Sequence, residues 1–326
     1  MNPSLGQKSS LYRELGQLLH SGKPFPASIQ LLQTATHGPV QRLAGMLKAS
    51  VDRGASVGEA FAAQYPQVSH LEASIVGASA RSGRLDQGCH YLSEYYAGLD
   101  TARKTVIRKL LYPVFLLHFS AFIGGVPQLV VSGDWTAYLK GSVGVLVLVY
   151  LGAFALWLAM SMVQFEGARK PGVDRFLRMI PVYGKMRRSF ALARFCATYE
   201  MQLASGVNIM DSLASAGRTS QSGLVREVVD RAIPLVRGGS QVGPLLMGDA
   251  FTPDLVRTIM VGEETGKLDE ELKRMAHGFQ ADAMSQLDLL GGIIAKGIYF
   301  AIMAYAAFLI IRIALGYVHT LDQVMQ

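Results

Sequence analysis

The stretch Gly262-Glu263-Glu264-Thr265-Gly266-Lys267 is the nearest this sequence comes to a phosphate-binding loop. A Walker A loop needs four residues between its glycines and Ser or Thr after its lysine, because backbone N–H groups cradle the phosphates and the hydroxyl meets Mg²⁺. Here three residues separate the glycines and Leu268 follows the lysine, so the run reads as a helix–turn–helix. Its carboxylates are the next candidates. Glu263, Glu264 and Asp269 can hold a cation, complement a helix N-terminus or an arginine, or meet a partner, and all three readings stay open at this point. Upstream, Lys185, Arg187, Arg188 and Arg194 form a basic stretch.

Little else suggests chemistry. No HExxH, GxSxG or GxGxxG occurs in a fitting context. Cys89 and Cys196 are the two cysteines, and neither belongs to a CxxC or Cys/His cluster. They read as reduced thiols packed as small hydrophobes. His118 lies in an apolar run with no charged residue close in sequence, and reads as a packed or hydrogen-bonded histidine. With no nucleophile–base constellation and no ligand set, the chain is expected to be non-enzymatic, without cofactor or metal.

The elements that must position these residues are unusual. Leu110 to Val131 holds no Asp, Glu, Lys or Arg in 22 residues, and Ser142 to Gln164 holds none in 23. A helix rises 1.5 Å per residue and bilayer hydrocarbon is about 30 Å thick, so each run can span it. The ten residues SGDWTAYLKG between them make the pair a membrane hairpin. A third run, Leu289 to Tyr317, has the core Gly297 to Ile311 flanked by Lys296 and Arg312, whose long side chains can snorkel to opposite faces. These runs explain a mean hydropathy of +0.27 and 50% hydrophobic residues against 17% charged. The rest reads as ordinary amphipathic helix.

Charge placement gives an orientation. Arg103, Lys104, Arg108 and Lys109 precede the first span, and Arg169, Lys170, Arg175, Arg178, Lys185, Arg187, Arg188 and Arg194 follow the second. Under the positive-inside rule both flanks are cytoplasmic and the connecting loop, with Trp135 and Tyr138, faces outward. The start, MNPSLGQKSS, lacks the basic end and apolar core of a signal peptide, so the N-terminal segment is expected to stay in the cytoplasm. The third helix then runs outward and leaves an external C-terminal tail. The basic flanks read as topology signals and lipid contacts, and not as a nucleic-acid site.

The polar parts repeat. Leu19-His20-Ser21-Gly22 aligns with Leu203-Ala204-Ser205-Gly206 at a shift of 184 residues. Arg53 to Gly58 matches Arg237 to Gly243 with one insertion, and Ser79-Ala-Arg-Ser-Gly83-Arg-Leu-Asp86 matches Gly262-Glu-Glu-Thr-Gly266-Lys-Leu-Asp269. Gly22, Gly83, Gly206 and Gly266 are the turn glycines of the two copies, placed where left-handed backbone ends a helix. Leu11, Leu15, Leu18 and Leu19 form the apolar stripe of one copy; Phe195, Tyr199 and Leu203 form that of the other. Asn208 and Thr252 are placed to cap helices. Each copy is large enough for about six helices with its own core.

The expected fold is therefore all-α: an integral membrane protein with two homologous cytoplasmic helical bundles and three transmembrane helices. The boundaries are a first bundle over 1–109, a hairpin over 110–164, a second bundle over 165–288, a third span over 289–317 and an external tail over 318–326.

Leu111-Tyr-Pro-Val114 opening a span, Ile180 to Phe195 (IPVYGKMRRSFALARF), Leu203 to Val207 (LASGV) and Val261 to Leu272 (VGEETGKLDEEL) carry a resemblance. With the three-span layout, they resemble the inner-membrane platform proteins of type II secretion systems and type IV pilus machines. The chain departs from that pattern at Ser79-Ala80, where Gly-Glu is expected, and at Leu290-Gly291-Gly292 in the third span. The resemblance implies a non-catalytic, self-associating scaffold in the bacterial inner membrane. It implies that a hexameric assembly ATPase docks on the cytoplasmic bundles while pilins or pseudopilins and other inner-membrane components meet the membrane face. On this reading Glu263 to Asp269 and Lys185 to Arg194 shape the ATPase-facing or bundle–bundle surface. The alternative is a small transporter or permease subunit, for which Gly124-Gly125 and Pro127 in the first span are the one hint of a broken helix.

Overall fold

Capping chemistry decides where the helices begin. Ser4, Ser56 and Ser69 each accept a hydrogen bond from the backbone N–H three residues on, and Gln7, Glu59 and Glu72 return one to the cap residue. Three orphan helix ends are satisfied reciprocally in this way. In the second half Asn208, Ser222 and Thr252 cap with their side chains alone. The computed structural model describes residues 2–126, 129 and 133–324, apart from the side chains of Ala137, Leu309, Arg312, Ile313 and 316–324.

Among the described residues the fold is all-α, with no strand. The first repeat comprises α1 (Leu5–His20), α2 (Phe25–Ala35), α3 (Pro39–Asp52), α4 (Val57–Ala62), α5 (His70–Arg81) and the start of α6 (Leu85–Ile123). After α7 (Trp135–Gly167) and α8 (Pro171–Met179) come α9 (Tyr183–Ala204), α10 (Ile209–Thr219), α11 (Gly223–Arg237), α12 (Val242–Leu245), α13 (Pro253–Thr265) and α14 (Leu268–Val324). Helices α9 to α14 repeat α1 to α6 in order. The turn glycines Gly22, Gly83, Gly206 and Gly266 take φ of +83°, +70°, +72° and +70°, where an L side chain would be strained.

Residues Met1–Ala102 and Gln164–Leu287 make one compact unit. The two repeats do not keep separate cores, as their sequences suggest. Leu11, Leu15, Ile29, Leu43 and Ile75 of the first belong to one contiguous buried cluster with Phe195, Tyr199, Leu213, Val229 and Leu255 of the second. Two hydrogen bonds cross the seam: Arg81 Nη2 donates to Gln202 Oε1 at 2.8 Å, and Ser205 Oγ donates to the Ala78 carbonyl at 2.5 Å. A bundle of about 100 residues buries a modest fraction of its surface, and sharing a face raises it. Cys89 and Cys196 are buried free thiols in this cluster.

Residues Arg103–Val163 and Asp288–Gln326 make the other unit. In it α6 and α14 cross so closely that a Cβ on Gly291 would lie 2.6 Å from Val106. Lys109 Nζ pairs with Asp288 Oδ1 at 2.7 Å, and the Tyr112 and Tyr299 rings stack at 6.4 Å. Helices α6 and α7 are joined by Tyr138, which donates to the Phe122 carbonyl at 3.0 Å, and by Tyr150 Oη, 3.2 Å from His118 Nε2. His118 Nδ1 donates to the Val114 carbonyl at 2.7 Å, which accounts for this histidine in an apolar run.

Among the described residues three helices are long and apolar enough to cross a membrane: Leu85–Ile123, Tyr138–Gly167 and Leu268–Phe308. Two differ from the sequence boundaries in one respect. Helices α6 and α14 pass without a break from amphipathic to apolar residues, where the sequence suggests separate elements meeting near 109 and 288. Trp135, Tyr138 and Lys140, expected in a loop, already lie on α7, because Asp134 Oδ1 accepts from the Thr136 N–H at 2.8 Å and opens the helix. The tail expected over 318–326 continues α14 to Val324. Pro127, Val131, the Arg312 side chain, Met325 and Gln326 lie outside the described residues.

Candidate partner-binding surface

Glu263 is committed to a helix end. Its carboxylate accepts from the backbone N–H groups of Val242 and Gly243, both at 2.8 Å, at the start of α12. That short helix has Gln241 before it and no side-chain cap of its own, so a carboxylate from α13 supplies one across 20 residues of chain. The first repeat solves the same problem locally. There Ser56 and Glu59 form a capping box for α4, and Ala80 stands where Glu263 would be. The departure Ser79-Ala80 thus has a physical reason. Glu264 is exposed on the same turn, and Asp269 is half-buried in the first turn of α14, where a negative charge favours the helix dipole.

The basic stretch on α9 turns largely inward. Arg187 Nε donates to Asp174 Oδ1 at 2.6 Å, and the other oxygen of this fully buried carboxylate accepts from the Ser222 hydroxyl and from the Leu224 N–H. Arg188 donates to the Phe251 carbonyl at 2.6 Å, and Arg194 to the Ser220 carbonyl at 2.8 Å. Arg178 on α8 joins them, donating to Ser222 Oγ at 2.9 Å and to the Asp249 carbonyl at 3.1 Å. Burial lowers the Arg178 guanidinium to about 10. Four arginines thereby staple α8, α9, α11 and the loop before α13. Lys185 alone of the four residues picked from sequence stays exposed and outward.

The turn feeding α9 is equally constrained. Val182 takes φ +64° and ψ −55°, and the Tyr183 N–H donates to the Pro181 carbonyl at 2.7 Å. This is a γ-turn of the rare, strained hand. A Cβ on Gly184 would sit 2.1 Å from the Arg178 carbonyl oxygen, so only glycine lets α9 start against the end of α8. The run Pro181-Val-Tyr-Gly184 is thus a structural corner.

Sequence reasoning passed over Glu200. It lines a cleft of about 780 Å³ between the repeats, with Arg13, His20 and Asp86 on one side and Lys273 and His277 on the other. Burial raises the Glu200 carboxyl from its ordinary 4.5 to about 7 despite Lys273 and Arg84 nearby. The same register that puts Ala204-Ser205-Gly206 opposite His20-Ser21-Gly22 puts Glu200 opposite Gly16, which marks it as a polar addition to a helix-packing position.

A family model described as type II secretion system (T2SS), protein F, matches residues 11–132 and 195–319, one segment for each repeat and the span that follows it. The chain belongs to the T2SS protein F family. It is 28% identical over 306 residues to the type II secretion system protein F of Pseudomonas aeruginosa, covering 86% of this chain and 74% of that one. It is 23% identical to the type IV pilus assembly protein TapC of Aeromonas hydrophila, over 85% of this chain and 72% of that one. The type IV pilus assembly protein PilC of Thermus thermophilus is 25% identical, over 86% of this chain and 74% of that one. Secretion and pilus relatives thus match to similar extents. Each T2SS protein F segment starts in the first helix of a repeat and runs into the apolar part of α6 or α14. The family, the all-α fold and the three apolar helices together make this a multi-pass membrane protein of the secretion and pilus assembly class.

Proposed function

We propose that this protein is a non-catalytic inner-membrane platform that couples a cytoplasmic assembly ATPase to polymerisation of pilins or pseudopilins. One observation carries the reading. Helices α6 and α14 each run unbroken from the shared bundle core, where Leu92 and Leu272 are fully buried, into their apolar spans. On this reading each of these helices joins a buried bundle position to an apolar span in one element, so work done on the bundles has a direct covalent route to the membrane segments. Work supplied by an ATPase on one side becomes motion in the bilayer on the other. The basic flanks 103–109 and 169–194 support cytoplasmic bundles, with the N-terminus inside and the C-terminus outside.

Of the charges singled out from sequence, Glu264 and Lys185 are the exposed ones, and they are the side chains offered to the ATPase or to another copy. Glu263, Arg187, Arg188 and Arg194 act behind them by holding the surface in shape. The test is co-purification of the ATPase with full-length protein carrying Glu264→Lys and Lys185→Glu, beside secretion or piliation in cells. A loss of retention of about tenfold with normal folding is the expected result, in line with rim charges worth 1 kcal/mol or so. Unchanged retention and unchanged assembly would remove the ATPase contact from this face.

A further inference from the structure

The last residues of α7 belong to the bundle unit and pack there at a well-defined place. Gly167, the last residue of α7, is packed so tightly that a Cβ there would lie 2.8 Å from Leu177 and 2.8 Å from Arg187. The residues next to those two, Arg178 and Arg188, line an open groove of about 820 Å³. Arg175, Lys185 and Arg257 bring its cations to five, against Asp249 as its one lining acid.

Three of these charges are not consumed within the fold. Arg175, Lys185 and Arg257 are exposed, and none has an ion-pair or hydrogen-bond partner among the described residues. The buried Nε atoms of Arg178 and Arg188 also lack an acceptor; Arg178 Nε is 3.7 Å from Asp174 Oδ2, too far for a hydrogen bond. The Nη groups of these two arginines donate inside the fold, so an anion in the groove is met chiefly by Arg175, Lys185 and Arg257. The same rim exposes two flexible apolar side chains, Met179 at 72% and Met247 at 64%. Five cations and two exposed methionines therefore meet in one groove, and the chain neighbours of two of the arginines, Leu177 and Arg187, hold the end of α7.

We propose that this groove binds the headgroup of an anionic phospholipid, with the phosphate met by the arginine and lysine side chains and the methionines lying along the glycerol and first acyl carbons. An acidic protein segment would meet the same cations, but the adjoining end of α7 and the apolar rim fit a lipid better. The inference does not depend on the ATPase contact proposed above. It requires only that α7 crosses a membrane.

The test uses full-length protein in detergent micelles, titrated with acyl-labelled phosphatidylglycerol and, separately, phosphatidylcholine. Phosphatidylglycerol is expected to bind at least tenfold more tightly. The triple variant Arg175→Gln, Lys185→Gln, Arg257→Gln, which touches no internal contact, should abolish the preference, since each cation near an anionic lipid contributes a several-fold effect. A charge-matched control, Lys23→Gln, Arg42→Gln, Arg218→Gln, should keep it. The proposal is overturned if the native protein shows no preference, if both triple variants lose it equally, or if equimolar inorganic phosphate displaces the lipid. It is overturned too if the groove variant binds phosphatidylglycerol as tightly as the native protein does, whatever it does to ATPase retention.

Discussion

Lys8 Nζ lies 2.8 Å from Glu72 Oε2 in the first repeat, with the carboxylate fully buried. Tyr12 Oη also donates to Glu72, at 2.7 Å, and the Ser69 N–H at 2.6 Å. The register of the duplication puts Leu192 opposite Lys8, Cys196 opposite Tyr12 and Leu255 opposite Glu72, all fully buried. One backbone design is thus filled by an ion-pair network in one copy and by hydrocarbon in the other.

This yields a test that compares a single with a triple substitution. Lys8→Leu alone leaves a buried carboxylate without its cation and should cost about 3 kcal/mol. Lys8→Leu with Glu72→Leu and Tyr12→Phe borrows the filling of the second copy and should cost less than the single change. Thermal unfolding of the full-length protein in detergent reads both. Burial first, and the Glu72 charge second, hold the Tyr12 hydroxyl well above its ordinary value.

Glu263→Gln should destabilise by about 1 kcal/mol, because a neutral amide caps the α12 N–H groups less well than a carboxylate. Glu264→Gln, on the exposed side of the same turn, should leave the unfolding midpoint within error. Equal effects of the two would contradict the capping role.

Asp174→Asn should be among the most damaging single changes in the second repeat. It removes the anion bound by Arg187 at 2.6 Å and faced by Arg178 at 3.7 Å, and leaves both buried guanidinium groups uncompensated. A loss of about 3 to 5 kcal/mol is expected. Protease sensitivity near residues 167–171, where α8 meets the end of α7, should rise with it.

Glu200 gives the bundle unit a pH dependence of defined sign. Its folded carboxyl keeps its proton to about 7, whereas the unfolded one releases it near 4.5. Between these values the folded state binds more protons, so stability falls as pH rises through the window. Glu200→Gln should flatten that slope and make the variant more stable than the native protein at pH 8, by about 2 kcal/mol. At pH 4, where the native carboxyl is protonated in the fold, the two should unfold alike.

How much of this the sequence discloses depends on distance along the chain. The turn glycines and the caps at Asn208 and Thr252 are local, and their residue types suffice to place them. The three spans are local too, since apolar length alone defines them. Glu263 reads as an exposed acid until α12 is brought to it from 20 residues away. Arg188 and Arg194 read as a surface patch because their acceptors are backbone carbonyls 63 and 26 residues on, which no residue type announces. The fusion of two cores into one is invisible for the same reason: each stripe looks complete by itself. Continuity of α6 and α14 is hidden differently, because a change from amphipathic to apolar composition looks like a boundary, and the helices run through Pro113 and Gly291-Gly292 all the same.

An unbroken α6 also fixes angular phase. Each residue of an α-helix advances about 100° around its axis. One residue added between Ala102 and Val106 would turn Val106 and Lys109, which meet Gly291 and Asp288, by that angle around the axis relative to the start of α6. Seven added residues would return nearly the original azimuth, about 10 Å further along. The amphipathic start of α6 and its apolar length therefore share one angular register, set by residue count alone.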